Sequence, residues 1–364
     1  MNSRWRDARN ILLVRLDNLG DVLLSTPAFH AVRETNRGSR LTLLTSPVGA
    51  QAAELNPDLD DVICYEAPWM DAWNRLPLDS KRELQLIEAI RARRFDAAII
   101  FTSFRQSSLP SAYLCYLADI PLRLASSTDG SGSLLTTRHK HVEDHNMHEV
   151  LRALELVGVE GFYTSSTDLV LQLSEHDRSA IKRRLLSEGL SPGKPLVVIH
   201  PGCSMPARTY PWEMFAEAAD LIVEASGCQA ILTGDSREVD LTKRIQMRMM
   251  HPALNMAGRV SFKEFSALLS LVGVVVTNNT GPAHVAAAVK TPVVDLFALT
   301  NPPEQWRPWN VPHRLLNQQV PCALCYSRVC PTDHRCLRDV RPSDVAKAAL
   351  ELLEVNPMEW RDAG

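Results

Sequence analysis

Between Gly273 and Phe297 the chain spells out a strand, a turn, a helix and a second strand. The strand Gly273 to Thr277 contains the β-branched run Val274-Val275-Val276, with no polar residue alternating through it. Such a run suits a strand covered on both faces, as in a parallel sheet. The turn Asn278-Asn279-Thr280-Gly281-Pro282 follows, then a helix from about Ala283 to Val289 and a strand from Pro292 to Phe297. Thr280 offers a capping hydroxyl, Gly281 lets a ligand approach the backbone, and Pro282 carries its φ already set for a first helical turn. A helix opening at the carboxyl end of a parallel strand aims free N–H groups and its positive dipole end into the ligand crevice of α/β folds. That is a seat for a diphosphate. The same unit also occurs in α/β proteins that bind nothing there, so the rest of the chain has to support the reading.

The alternation recurs along the chain. Strand-like segments stand at Ile11 to Leu16, Leu41 to Thr45, Val62 to Tyr65, Ala97 to Phe101, Leu122 to Ala125, Leu196 to His200 and Gln229 to Thr233, with helical stretches between them. This pattern predicts βαβ units and parallel sheets. Ser126 to His145 is Ser/Gly-rich and then basic, and reads as a long surface loop. The expected division is a first doubly wound domain over 1–173, a linker helix and loop over 174–195, a second doubly wound domain over 196–342, and a closing helix and tail over 343–364. A chain of 364 residues is long enough for two such cores.

A formal charge of −3 argues against a general nucleic-acid binder. No apolar run approaches the roughly 20 residues that span a bilayer, and Ile11 to Val14 is too short for the apolar region of a signal peptide. A cytoplasmic protein is the expectation.

Four blocks in order carry a more specific signal: Arg15-Leu16-Asp17-Asn18-Leu19-Gly20-Asp21-Val22-Leu23; His200-Pro201-Gly202 with Ala207-Arg208-Thr209-Tyr210-Pro211; Thr233-Gly234 through Glu238; and Asn278 to His284 with Ala286-Ala287-Ala288. With them the chain resembles glycosyltransferase family 9, the heptosyltransferase-type enzymes of lipopolysaccharide core assembly. The resemblance spans about residues 11 to 350. It implies the GT-B fold, two Rossmann-like lobes with an interdomain cleft, and inverting transfer of heptose or a related sugar from an ADP-sugar to a lipopolysaccharide core or related glycan. It also implies a lipid-linked saccharide or glycan acceptor and peripheral association with the inner face of the cytoplasmic membrane. A GT-B nucleotide-sugar epimerase and a catalytically silent sugar-nucleotide-binding subunit are the alternatives.

By the same resemblance Asp21 is the catalytic base, with Asp17 a second candidate, and Gly20 permits close approach of the sugar. A carboxylate within hydrogen-bond reach can take the proton of a weakly nucleophilic hydroxyl; the plain alternative for Asp21 is a helix-capping carboxylate. Ser204 and Arg208 follow a strand and fall on the ligand side of the second domain. A fixed cation there fits a departing diphosphate, although many family members have Lys where this chain has Arg208. Glu238 matches the acidic residue that binds the nucleotide ribose. Thr280, Gly281 and His284 face the donor, and Asn279 stands where the best-known members carry Asp. Arg208 and a helix dipole make a catalytic divalent metal unnecessary. Acceptor contacts are expected from Ser103 to Ser107 and the basic loop Arg138 to His148.

Cys322, Cys325, Cys330 and Cys336 stand within fifteen residues of a chain that has eight cysteines. Locally clustered soft ligands read as a structural metal site, zinc ahead of iron, in a reducing compartment. Free thiols bracing the loop, or two disulfides, are the alternatives.

Overall fold

The computed structural model describes residues 3–71, 73–140 and 146–355. It divides into two units, Met1–Gln172 and Leu173–Gly364. The first is built on β1 (Asn10–Arg15), β2 (Arg40–Thr45), β3 (Asp61–Cys64), β4 (Ala97–Ile100), β5 (Leu122–Ser126) and β6 (Thr137–His139). These strands lie in the order β3-β2-β1-β4-β5-β6, all parallel. The second unit holds β7 (Leu196–His200), β8 (Gln229–Leu232), β9 (Ala253–Asn255), β10 (Val274–Asn278), β11 (Val293–Leu296) and β12 (His313–Leu316). Their order is β12-β11-β10-β7-β8-β9, again all parallel.

Each sheet is therefore wound the same way. The chain starts in the middle, steps out to one edge, returns, and steps out to the other. The winding reverses between β1 and β4 in the first unit and between β7 and β10 in the second. Loops leaving the carboxyl ends of such a strand pair diverge to opposite faces of the sheet and leave a crevice for a ligand.

The central strands are apolar on both faces because both are covered by helices. In the second unit Val274, Val276, Val294 and Leu296 share a core with Phe215, Ala219 and Ile222 of the helix Trp212–Ser226 and with Ala349 and Leu352 of the helix Pro342–Val355. In the first, Leu12, Val14, Ala98 and Ile100 pack with Ala112 and Cys115 of the helix Leu109–Leu117. Truncating one such Leu or Ile to Ala typically costs about 2–5 kcal/mol.

Several expectations change. The segment 126–145 is not loop throughout, since Thr137–His139 pairs in register with Leu124–Ser126 as β6. β9 and β12 also went unseen: their residues are mostly half-buried, so they lack a continuous apolar run. Within the expected linker, the helix Glu175–Ser187 buries Ile181 and Leu185, and it packs against the helix Phe262–Leu269 of the second unit. The final helix belongs to that unit too, against the helix Trp212–Ser226. Residues 356–364 of the expected tail lie outside the described residues.

Candidate active site

The helix after β1 begins earlier than its apolar periodicity suggests. It runs Leu19–Thr35 with Asn18 as its N-cap, which places Gly20 and Asp21 inside its first turn. Asp21 sits at the third helical position and accepts the Asn18 N–H through Oδ2 at 3.3 Å, a capping contact that extends the helix back to Leu19. The other oxygen faces the switch point between β1 and β4. Asp21 Oδ1 accepts from Ser103 Oγ at 3.1 Å and lies 3.4 Å from Arg15 Nη2.

Arg15 ends β1 with 2% of its surface exposed, and three carboxylates surround it: Asp17 at 3.2 Å, Asp21 at 3.4 Å and Glu149 at 3.9 Å. Arg15 Nη2 also donates to Ser103 Oγ at 2.9 Å. Burial alone would lower the Arg15 pKa, but the three carboxylates more than offset it and the net shift is upward. Asp17 is pushed up to about 6, mainly by burial and despite Arg15, and its Oδ1 accepts from Gln106 Nε2 at 2.6 Å. Burial likewise pushes Glu149 up to about 7, against the pull of Arg152 and Arg15. The three carboxyl groups thus differ in access. The Asp21 side chain is 17% exposed, against 4% for Asp17 and 3% for Glu149.

Next to this group is a cleft of about 240 Å³, lined by Phe104, Arg105, Gln106, Ser107, Ser126 to Asp129 and Arg152. It joins part of the expected acceptor segment, Ser103 to Ser107, to the end of β5. Residues 141–145 of the basic loop lie outside the described residues.

In the second unit the loops after β7 and β10 form the corresponding switch point. Asn278 ties them together: its Nδ2 donates to the Pro201 carbonyl at 2.9 Å and its Oδ1 accepts from Tyr210 N at 3.0 Å. Glu238 crosses directly over Gly202 and accepts the Asp235 N–H at 2.8 Å. Burial raises its pKa. His200, beneath it, is driven down to about 4 by burial and is neutral at pH 7; its Nδ1 lies 3.0 Å from Thr233 Oγ1. Ser204 is exposed and Arg208 half-buried on the loop after β7, with Arg208 Nε donating to Thr300 Oγ1 at 3.1 Å.

The helix Gly281–Ala288 opens at the carboxyl end of β10 as expected. Thr280 does not cap it. Its backbone is extended and its hydroxyl instead donates to the Asn278 carbonyl at 3.4 Å, so the first helical N–H groups are not taken by that side chain. His284 is buried in the first turn of this helix, and Asn279 is turned inward at 5% exposure with Oδ1 accepting from Ala298 N.

Contrary to the expectation that the chain carries no Asp-x-Asp metal motif, Asp58-Leu59-Asp60 has that pattern, but it does not belong to either crevice. It precedes β3 at the amino-terminal end of the sheet, with Asp58 bound to His30 and Asp60 to Arg33 and the Leu41 N–H. All eight cysteines are free thiols, and Cys322, Cys325, Cys330 and Cys336 line one small cavity. Among the described residues no group of three or more His, Cys, Asp or Glu is placed to hold a metal ion, so these thiols are not a formed metal site.

Sequence reasoning missed Arg15 as the hub of the Asp21 group and missed Glu149 altogether. A lone Arg ending an otherwise apolar strand was a usable signal for the first. Nothing local marks Glu149, which reaches Arg15 from far along the chain.

Two doubly wound units, each with polar side chains gathered at its switch point, define an α/β protein of two Rossmann-like lobes. Residues 83–335 match the family described as glycosyltransferase family 9 (heptosyltransferase), and the chain belongs to that family. It is 25% identical over 296 residues to lipopolysaccharide heptosyltransferase 3 of Escherichia coli K12, covering 80% of this chain and 82% of that one. Its fold is that of a glycosyltransferase family 9 crystal structure from Veillonella parvula, with a TM-score of 0.80 at 19% identity, covering 95% of this chain and 98% of the other. The structure of E. coli ADP-heptose lps heptosyltransferase II superimposes with a TM-score of 0.76 at 20% identity, covering 96% of this chain and 99% of that one. The fold is GT-B, and the protein is a glycosyltransferase of the heptosyltransferase type. Among the described residues no helix is long and apolar enough to cross a membrane.

Proposed function

We propose that this enzyme transfers heptose from an ADP-sugar to a lipopolysaccharide core or related glycan, with inversion at the anomeric carbon and without a catalytic divalent metal. The observation that carries the reading is the unequal access of the three carboxyl groups around Arg15. Asp17 and Glu149 are closed off and their pKa values are raised, while Asp21 keeps exposed surface and is held by the Asn18 N–H and the Ser103 hydroxyl. Asp21 is the group that can meet an acceptor hydroxyl.

Asp21 takes the proton from that hydroxyl as its oxygen attacks C1 of the sugar. The bond from C1 to the diphosphate oxygen breaks on the opposite side, which inverts C1, and the electron pair leaves with ADP. Arg208 and the N–H groups at the start of Gly281–Ala288 stabilise the charge that grows on the diphosphate, with Ser204 and Thr280 offering hydroxyls nearby. Glu238, held in place by Gly202, provides two carboxylate oxygens for the paired ribose hydroxyls. Asn279 and His284, both buried, shape the floor of the seat. The cleft beside Arg105 and Arg152 takes the acceptor saccharide, which brings the enzyme to the inner face of the cytoplasmic membrane when that acceptor is lipid-linked.

A structural zinc or iron held by Cys322, Cys325, Cys330 and Cys336 is a separate part of this reading, and no step of transfer depends on it. Four thiols around one cavity are a suitable soft donor set. As they stand they are not arranged to hold an ion, so binding requires the loop to tighten.

The test is ADP release from ADP-heptose with and without a core-oligosaccharide acceptor. Acceptor-dependent release supports transfer. Conversion of the donor without acceptor indicates an epimerase, and binding without turnover indicates a silent subunit.

A further inference from the structure

The cysteine-rich segment does more than return the chain to its last helix. It runs behind the turn Pro206–Arg208 and grips it. Ala207 N donates to the Arg328 carbonyl at 2.9 Å, and His334 Nε2 lies 3.0 Å from the Pro206 carbonyl. The same segment holds the loop after β11, where Leu324 N donates to the Leu299 carbonyl and Tyr326 N to the Thr300 carbonyl, each at 2.7 Å. Thr300 in turn accepts Arg208 Nε through its hydroxyl at 3.1 Å, and that hydroxyl donates to Asn301 Oδ1 at 2.9 Å. Thr300 is 3% exposed, so this relay is shielded from water.

Backbone geometry marks the same contacts. Leu324, Tyr326 and His334 have φ of 59°, 52° and 51°. Residues other than glycine rarely adopt this left-handed conformation, and they keep it when the surroundings hold them there. Each of the three makes one of the gripping contacts. The four cysteine side chains fill the space between, lining one small cavity with Ala207, Leu299 and Thr300.

We propose that Thr300 and His334 are positioning residues for the donor diphosphate, acting through Arg208. Holding a guanidinium at Nε fixes its plane, and holding the carbonyl of Pro206 fixes the turn from which it projects. A fork presented in a fixed plane loses less conformational freedom when it meets phosphate oxygens. The proposal rests on the reading of Arg208 as the diphosphate cation.

The experiment is calorimetric titration of ADP and of AMP into the full-length protein and its Thr300→Val, Thr300→Ser, His334→Asn and Arg208→Ala variants, with melting temperatures measured alongside. Asn tolerates the left-handed backbone at position 334 but is too short to keep the contact with Pro206. Thr300→Val is expected to weaken ADP about tenfold, as loss of a hydrogen bond to a charged group does, with AMP much less affected. Thr300→Ser restores ADP binding, and His334→Asn shows a smaller loss of the same selectivity. Equal losses for ADP and AMP, or ADP binding unchanged in both Thr300→Val and His334→Asn, overturn the proposal. If the Thr300 variants fail to fold, His334→Asn decides alone. Wild-type protein that does not bind ADP, or an Arg208→Ala variant that binds it normally, refutes the donor reading itself and this inference with it.

Discussion

Glu238 occupies the space that a side chain on Gly202 would need. A Cβ built on Gly202 would stand 2.0 Å from Glu238 Oε1 and 2.1 Å from its carboxyl carbon, far inside contact distance. The glycine after β7 is therefore what allows an acidic side chain on the next loop to lie across the switch point.

Gly202→Ala is predicted to displace the Glu238 carboxylate and to weaken ADP about tenfold. The three atoms nearest that Cβ all belong to the Glu238 carboxylate, the free end of a flexible side chain that can move aside, so the melting temperature should move little. Titration of ADP into the variant checks this. Unchanged affinity would mean that Glu238 does not touch the nucleotide.

The buried carboxyls of the first unit make stability depend on pH in a stated direction. Glu149, ordinarily near 4.5, is raised to about 7 in the folded protein, chiefly by burial. The folded state therefore holds a proton that the unfolded chain has already released. Its contribution is fully present below pH 4.5 and is lost as pH rises to about 7, on the order of 3 kcal/mol at most. Asp17 acts in the same sense up to about 6. His200, held down to about 4 by burial against an ordinary 6.5, acts in the opposite sense up to about pH 6.5, so the fall in melting temperature is expected between about pH 6.5 and pH 7.5, where Glu149 acts unopposed, and Glu149→Gln should flatten it. A variant that keeps the full slope there would assign it to another group.

Protein purified under reducing conditions is predicted to carry close to one equivalent of zinc or iron, removed by a strong chelator with a fall in melting temperature. A small fraction of an equivalent, with full stability in chelator, would leave the four cysteines as thiols that brace the Arg208 turn by packing alone.

Much of this was legible in the sequence, for identifiable reasons. Val274 to Val276 announced a strand covered on both sides, and the Asn278-to-Pro282 turn placed a helix start at its carboxyl end, where it stands. Short or half-buried strands carried no such signal: β6, β9 and β12 show intermediate or exposed residues throughout. The helix Glu175–Ser187 reads as linker in the sequence because its charged residues outnumber the apolar pair that anchors it, Ile181 and Leu185. The residues proposed for the site divide in the same way. Asp21 and Arg208 stood in recognisable blocks, whereas Glu149 and Thr300 meet their partners only through the tertiary fold.

Asp21→Asn separates the role of Asp21 as the base from binding of the nucleotide, which needs no help from it. Asn keeps the size of the side chain but cannot take the acceptor proton. Acceptor-dependent ADP release from ADP-heptose should fall by about a thousandfold, while ADP affinity measured by titration stays within about twofold of the parent. Transfer at the parental rate would mean that another group takes the proton, and loss of ADP binding together with transfer would make Asp21 a structural residue.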